Sequence, residues 1–280
     1  MKKGILIQAL GHTNYYQMAV VLAASIKSNE PDMPICLVTD NTVLIEHTKL
    51  FDLVMFPSKK SITQRGKTEL IKAKLFMYDF SPFDETIFLD VDQIVIEGRK
   101  LAPIFDELKD VSLTFANHGL DDKSVWCDIA EVHKLYGNKT FWNIRSELVY
   151  FKKSKEVKKY FDTAKKVYED NKITSATRFA NATMADELAF QCAAIITGMY
   201  PHQQHWSPDF WYSINERIAN KYPYELDSSY ITYSIGGSIT PNRIKNNYNT
   251  LAKHYFAKLN LFNPYQVVDK RNFLPERKSI

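Results

Sequence analysis

Two aspartates one residue apart, Asp90 and Asp92, follow the apolar run Thr86-Ile87-Phe88-Leu89 and precede Gln93-Ile94-Val95-Ile96. An apolar strand that runs straight into Asp-x-Asp delivers two carboxylates to one end of a sheet. Hard divalent cations such as Mg²⁺ and Mn²⁺ take oxygen ligands and commonly share their remaining positions with a substrate phosphate. Other residues of matching chemistry lie elsewhere in the chain. Lys74 sits in Lys67-Thr68-Glu69-Leu70-Ile71-Lys72-Ala73-Lys74-Leu75, a second acidic pair, Asp186-Glu187, opens an apolar-periodic stretch, and His254 stands between aromatic and basic residues. A lysine gives charge-assisted hydrogen bonds to phosphate, and a carboxylate orients a hydroxyl or takes its proton. Each also has a plainer use: solvated strand-end carboxylates, a surface lysine, first-turn acids favoured by a helix dipole, and a packing histidine.

The elements that must position these residues are legible as alternating patterns. Short runs rich in Ile, Val and Phe predict strands over Lys3 to Leu10, Ile35 to Thr39, Leu53 to Phe56, Glu85 to Leu89 and Val111 to Phe115. Helical periodicity falls over 13–29, 66–79 and 99–109. Such alternation predicts an α/β fold with a mostly parallel sheet and helices on both faces, with ligands bound beyond the carboxyl ends of the strands. The loops there are Gly11-His12-Thr13-Asn14-Tyr15 and Thr39-Asp40-Asn41. No Gly-x-Gly-x-x-Gly follows the first strand and no Walker sequence occurs, which removes the main support for dinucleotide dehydrogenases and P-loop enzymes.

Further along, 117–140 reads as an insertion-like stretch containing Trp126 and His133. A strand over Glu147 to Phe151 then leads into a helix from Ser154, an N-cap by residue type, to about Asn171. The next helix covers about 183–197. Beyond Tyr200 the chain is aromatic and irregular, and His202, His205 and Trp206 cluster there as packing residues or as an acceptor-stacking surface. No flexible linker marks a firm boundary, so 1–200 is read as the core and 201–280 as a closing segment of the same domain.

Hydrophobic residues at 45% and charged residues at 24% describe a folded globular chain, and no apolar run reaches the roughly 18 residues a membrane span needs. With no signal-like leader, a cytosolic protein is expected, and the three cysteines are too few and too scattered for a disulfide framework or a zinc site. The net charge of +4 is uneven. Residues 152–172 hold eight basic and four acidic side chains, residues 242–280 hold eight and two, and the rest of the chain is acidic. These are solvated faces or surfaces for an anionic partner.

Taken together, residues 3–200 resemble the GT-A nucleotide-sugar glycosyltransferases, especially the glycogenin-like and galactosyltransferase-like group. Ile5 to Leu10 followed by Asn14-Tyr15 looks like the family's base-binding edge, and Leu37-Val38-Thr39-Asp40 like its second strand. The Lys67 to Leu75 segment is similar to the helix whose lysine reaches the donor, Asp90-Val91-Asp92 to the metal and diphosphate motif, Asp186-Glu187 to the Asp-Gln pair near the sugar, and His254-Tyr255 to the C-terminal metal ligand. The resemblance implies a Rossmann-like three-layer sandwich and a UDP-sugar donor. It implies Mn²⁺ or Mg²⁺ on Asp90, Asp92 and His254, and donor contacts from Gln8, Leu10, Asn14, Tyr15, Asp40, Lys74, Asp90 and Lys258. Asp186, Glu187 and Arg145 would serve the reaction. Two departures stand out: Arg145-Ser146-Glu147 occupies the place of the family's Asn-Ser-Gly, and His254-Tyr255-Phe256-Ala257-Lys258 is a reduced form of its His-x-x-Gly-x-x-Lys-Pro-Trp.

Haloacid-dehalogenase-like phosphatases also carry Asp-x-Asp, but want Thr or Val where Ile94 stands and place the motif on the first strand. A non-catalytic nucleotide-sugar-binding module is the other alternative. For the acceptor, a cytosolic saccharide competes with a hydroxymethylated pyrimidine in DNA, which some bacteriophage glycosyltransferases modify; the compact, lysine- and tyrosine-rich chain resembles a phage enzyme. In the DNA case Arg243, Lys245, Lys253, Lys270 and Arg271 would track phosphates and Trp206, Trp211 and Tyr212 would stack an extruded base.

Overall fold

The computed structural model describes residues 2–11, 13–41, 49–120, 124–178, 182–200, 231–234 and 242–261. In chain order the elements are β1 (Lys3–Ala9), α1 (Thr13–Asn29), β2 (Ile35–Thr39), β3 (Leu53–Met55), α2 (Lys59–Ile62), β4 (Thr63–Gln64), β5 (Lys67–Thr68), a 3-10 helix over Leu70–Phe76, α3 (Met77–Phe80) and β6 (Glu85–Leu89). They continue with β7 (Gln93–Val95), α4 (Ala102–Glu107), β8 (Leu113–Leu120), α5 (Ile129–Tyr136), β9 (Trp142–Lys152), α6 (Lys155–Asp170), α7 (Asp186–Thr197), β10 (Thr232–Ser234) and α8 (Asn242–Lys258). Six strands form one sheet in the order β3-β2-β1-β6-β9-β8. The sheet is mixed and mostly parallel, with β9 antiparallel to both of its neighbours. Every residue of β2 and β6 is buried, the mark of strands covered on both faces.

Four predicted elements differ from the observed ones, each for a physical reason. The helix expected over 66–79 starts late because Arg65 and Gly66, both at positive φ, turn β4 back onto β5 as a two-residue hairpin. After that turn the chain winds as a 3-10 helix, because Glu69 and Lys72 are both drawn inward. Lys72 Nζ donates to the Thr63 carbonyl at 3.0 Å and to Gln64 Oε1 at 3.1 Å. The helix expected over 99–109 is confined to α4, at whose start the Glu30 carboxylate accepts from the N–H groups of Leu101, just before the helix, and of Ala102, its first residue. The strands expected over 111–115 and 147–151 are longer, as β8 and β9, and they pair through residues that carry no apolar alternation. The segment read as an insertion contains α5, capped by Asp128, whose side chain accepts from the Ala130 N–H.

By contact density the chain divides into two interleaved units, the first drawn from Met1–Leu6, Met55–Asp90 and Phe105–Trp206, the second from Ile7–Val54, Val91–Ile104 and Ser207–Ile280. The first unit has an aromatic core. Phe115 lies 4.9 Å from Phe190, Phe161 packs edge-on to Phe151 at 5.3 Å, and Tyr160 stacks on Phe190. α6 presents Val157, Tyr160, Phe161, Ala164, Val167 and Tyr168 inward, the stripe its periodicity predicts, and Ser154 caps it by accepting from the Val157 N–H.

In the second unit α1 is the organising helix, and it packs against β2, β7 and α8. Ser25 Oγ accepts from the Val95 N–H at 2.9 Å, Asn29 accepts from the Gly98 N–H at 2.8 Å, and Tyr255 of α8 donates to the Val95 carbonyl at 2.7 Å. β7 pairs antiparallel with β10. Among the described residues no helix is long and apolar enough to cross a membrane.

Candidate active site

A partly buried polar cluster forms where β6 ends. Asp90 is the first residue past that strand, its backbone N–H held by the Glu147 carbonyl at 2.9 Å. Its side chain accepts from Lys74 Nζ at 2.7 Å. The same ammonium is 3.4 Å from Ser146 Oγ and 3.9 Å from Asp186 Oδ2, and Ser146 Oγ donates to Asp186 Oδ2 at 2.5 Å. Glu187, beside Asp186 in the first turn of α7, accepts from the Trp126 indole N–H at 2.7 Å and lies 3.4 Å from the Ser146 backbone N–H. Arg145 Nη1 stands 4.0 Å from the Glu187 carboxylate.

β9 brings Arg145 and Ser146 here through an irregularity. Its pairing with β8 jumps from Val149↔Phe115 to Arg145↔Ala116, so three residues of β9, Ser146 to Leu148, have no counterpart on β8. They are occupied on the other side, where Leu148 pairs with Leu89 and the Glu147 carbonyl takes the Asp90 N–H. Bulges re-aim side chains beside functional sites, and this one turns Ser146 toward Lys74 and Asp186. α7 supplies its acids at the end where the helix dipole favours negative charge.

Three carboxylates and two cations make the electrostatics of the cluster demanding. Burial works to lower the Lys74 pKa, but Asp90 and Asp186 with the Asp90 hydrogen bond outweigh it and hold the ammonium charged well above its usual range. For Glu187 burial comes first and the Asp186 charge adds to it. Together they raise the carboxyl to about 7 against the opposing pull of Arg145, Lys74 and the Ser146 N–H. The side chains of Asp186 and Glu187 are 6% and 12% exposed, whereas Arg145 is 38% exposed. Arg145 Nε is nevertheless buried and has no hydrogen-bond partner among the described residues, so the site holds an unspent donor. A carboxyl poised near neutrality beside an unspent cationic donor is the environment that acid–base and anion chemistry requires.

The remaining expected residues fall as follows. Gln8 lies on β1 and Leu10 just past it, Leu10 buried and Gln8 partly so. Asp40 accepts from the Gly11 N–H at 2.9 Å, joining the two loops expected at the ligand edge. Asn14 and Tyr15 are in the first turn of α1. His254 and Lys258, one turn apart on α8, share Glu97, at 3.2 Å and 3.0 Å. The Lys258 hydrogen bond, with His254, holds that carboxyl below its ordinary value. Asp92 follows β6 in a turn that leads into β7. The aspartate oxygens of Asp90 and Asp92 and the imidazole of His254 are donors that suit Mn²⁺ or Mg²⁺. No group of three or more His, Cys, Asp or Glu side chains arranged to hold a metal occurs among the described residues.

His202, His205, Trp206, Trp211, Tyr212, Lys270 and Arg271 lie outside the described residues, and of Arg243 and Lys245 only the backbone is described. Cys36 and Cys192 are buried and Cys127 partly exposed, all unpaired. Sequence reasoning assigned no role to two members of the cluster. Ser146 stood in the quoted Arg-Ser-Glu text, and Trp126 gave only the signal of a tryptophan in a polar stretch.

The sequence matches no protein-family model and no curated protein. The structure does match solved ones. The apo structure of WbbM, a bifunctional glycosyltransferase, superposes with a TM-score of 0.57 at 11% identity, covering 92% of this chain and 51% of WbbM, so this chain spans about half its length. The galactosyltransferase LgtC, in complex with donor and acceptor sugar analogues, gives 0.54 at 14% identity over 90% of this chain and 95% of LgtC. Mouse xyloside xylosyltransferase 1 in its apo form gives 0.51 at 9% over 86% and 99%. At such identities the likeness is one of fold, and the fold is the α/β architecture of GT-A glycosyltransferase structures.

Proposed function

We propose that this chain transfers a sugar from a nucleotide diphosphate sugar, a UDP-sugar by preference, to an acceptor hydroxyl, with Mn²⁺ or Mg²⁺ taken by the Asp90-Val91-Asp92 carboxylates, while the third ligand expected, His254, is engaged by Glu97. The observation that carries this reading is the cluster of Lys74, Asp90, Ser146, Asp186 and Glu187 past the end of β6. It places a fixed cation and two nearly buried carboxylates beside the first aspartate of Asp-x-Asp, on a fold shared with solved glycosyltransferases.

The chemistry asks for these groups. Departure of the diphosphate leaves positive charge developing at the anomeric carbon, and preorganised charges are worth most in a buried site. Asp186, locked by Ser146 and Lys74, orients the donor sugar and faces that developing charge. Glu187, poised near neutrality, exchanges a proton with a sugar or acceptor hydroxyl. Arg145 spends its free Nε–H on an acceptor oxygen of the ligand. Lys74 adds a charge-assisted bond to the diphosphate, and the donor contacts expected of Gln8, Leu10, Asn14, Tyr15, Asp40 and Lys258 belong to the second unit. The metal, when bound, supplies Lewis-acid stabilisation of the leaving diphosphate. Product stereochemistry then identifies the proton acceptor, since inversion requires a carboxylate base and retention leaves the task to the leaving group.

Asp92→Ala is the direct test. It should abolish Mn²⁺-dependent transfer and slow UDP-sugar hydrolysis while the melting temperature stays near that of the wild type, and an unchanged rate refutes the assignment. A non-catalytic binding module shows binding without hydrolysis, and a phosphatase of the Asp-x-Asp type releases phosphate from simple esters.

For the acceptor, one observation favours DNA over a saccharide. The exposed face of α6 carries Lys155, Lys159 and Lys166, which have no ion-pair partner among the described residues and line one surface depression with Lys158, Asp162 and Thr163. At 1.5 Å per residue they span about 16 Å, enough to meet several phosphates of a duplex.

A further inference from the structure

Trp126 reaches Glu187 from a segment with little apolar anchoring. Val125 beside it is 74% exposed. Polar bonds hold the segment instead. The Thr177 N–H donates to the Trp126 carbonyl at 2.7 Å, the Thr177 hydroxyl to the Val125 carbonyl at 3.1 Å, and the Asp128 N–H to Ser175 Oγ at 3.0 Å. From α5, Glu131 then accepts from the N–H and hydroxyl of both Thr174 and Ser175. Those bonds, led by the Ser175 and Thr174 hydroxyls, lower its carboxyl to about 2, so the clamp stays charged at every pH of interest.

The clamp delivers one donor to one acceptor. The indole N–H meets Glu187 Oε2 at 2.7 Å, while Oε1 faces the Ser146 N–H at 3.4 Å and Arg145 Nη1 at 4.0 Å. Of these contacts the indole bond is the shortest and the only one to Oε2. The groups that face Glu187 are Asp186 from α7, Lys74 from the 3-10 helix, Arg145 and Ser146 from β9, and Trp126. A hydrogen bond donated to a carboxylate favours its ionised form, so removing this one raises the pKa of the group it serves.

We infer that Trp126 is a positioning residue for sugar transfer: its indole N–H, held by the Glu131 clamp, fixes the orientation and ionisation of the Glu187 carboxylate. The inference rests on the glycosyltransferase reading for its catalytic consequence, but its physical content is measurable without activity.

Trp126→Phe keeps an aromatic ring and deletes the donor. The titration midpoint of Glu187 is read from the pH dependence of unfolding, as the difference between wild type and Glu187→Gln and again between Trp126→Phe and the double variant. The midpoint should rise by about one pH unit, a tenfold change in proton affinity. The acid limb of kcat/KM for UDP-sugar with Mn²⁺ should move up by the same amount, with KM changed less than about twofold and no such limb in Glu187→Gln. A midpoint that does not move overturns the inference, whatever the activity. A midpoint that moves in a protein with neither transfer nor hydrolysis keeps the link between Trp126 and Glu187 and refutes the glycosyltransferase reading instead. If Trp126→Phe does not fold, Glu131→Gln, which loosens the clamp without touching Glu187, must move the midpoint in the same direction.

Discussion

Replacing Glu187 by glutamine tests the electrostatics of the site through stability alone. In the folded chain burial and the Asp186 charge raise the Glu187 carboxyl from 4.5 to about 7. A carboxyl that holds its proton more tightly when folded than when unfolded gives the folded state its full advantage below the unfolded value, near pH 4.5. The advantage is lost as pH rises through the folded value, and stability is then flat above it. Each pH unit between the two values is worth about 1.4 kcal/mol, so the interval amounts to about 3 kcal/mol. The side chain is only 12% exposed, which leaves little solvent screening to discount. Glutamine keeps a carbonyl for the Trp126 N–H and cannot ionise. Its pH-independent effects cancel when the variant is compared with wild type at two pH values. Urea unfolding should therefore show Glu187→Gln gaining on wild type by about 3 kcal/mol between about pH 4 and about pH 8. In melting temperature this is a relative gain of about 6 °C, at about 2 °C per kcal/mol for a chain of this size. A difference that is constant across pH, or that moves against the variant as pH rises, refutes the reasoning.

Gly4→Ala should destabilise the protein by about 1–3 kcal/mol, because a Cβ there would sit 2.4–2.6 Å from ring atoms of Phe83; unfolding midpoints check it, and Phe83→Leu in the same chain should recover part of the loss. Lys155→Glu, Lys159→Glu and Lys166→Glu together should weaken binding to duplex DNA. They should also flatten its dependence on salt by about three phosphate contacts, about 0.9 each in the log–log slope. A wild-type chain that ignores DNA at low salt assigns the acceptor to the saccharides.

The parts of the fold that were legible are those in which local pattern and burial agree. α1 and β2 appear at the predicted residues, and β6 ends at Leu89, where its apolar run meets Asp90. α6 shows its cap at Ser154 and its stripe from Val157 to Tyr168 as read. Legibility fails where distant groups decide local geometry. The 3-10 turn at 70–76 exists because Glu69 is held by Tyr168 and Thr183 at 2.6–3.0 Å, while Lys72 reaches Glu169 as well as Thr63 and Gln64; these partners are far along the chain or on a hairpin, and no periodicity reports them. β9 is longer than its apolar centre because Trp142, Ile144 and Arg145 pair with β8 in spite of their mixed character.

The same distinction runs through the site. Asp90 was legible from its place after an apolar strand, Lys74, Asp186 and Glu187 from the family resemblance, and the structure brings these four together. Ser146 and Trp126 were assigned nothing, because a hydroxyl and an indole acquire meaning only from what they touch: Asp186 forty residues away and Glu187 sixty-one away. Yet these two account for the shortest bonds that the acidic pair receives. Buried charge in this density is poor currency for stability, since well-packed apolar groups of similar volume usually do as well or better. A chain that buries Asp186 and Glu187 side by side, sets one of them near neutrality and leaves Arg145 Nε unspent carries an energetic burden that folding does not require. A ligand that takes up the unspent donor and meets the acidic pair would relieve that burden, so substrate binding should itself stabilise the cluster, and most strongly above pH 7, where Glu187 is charged.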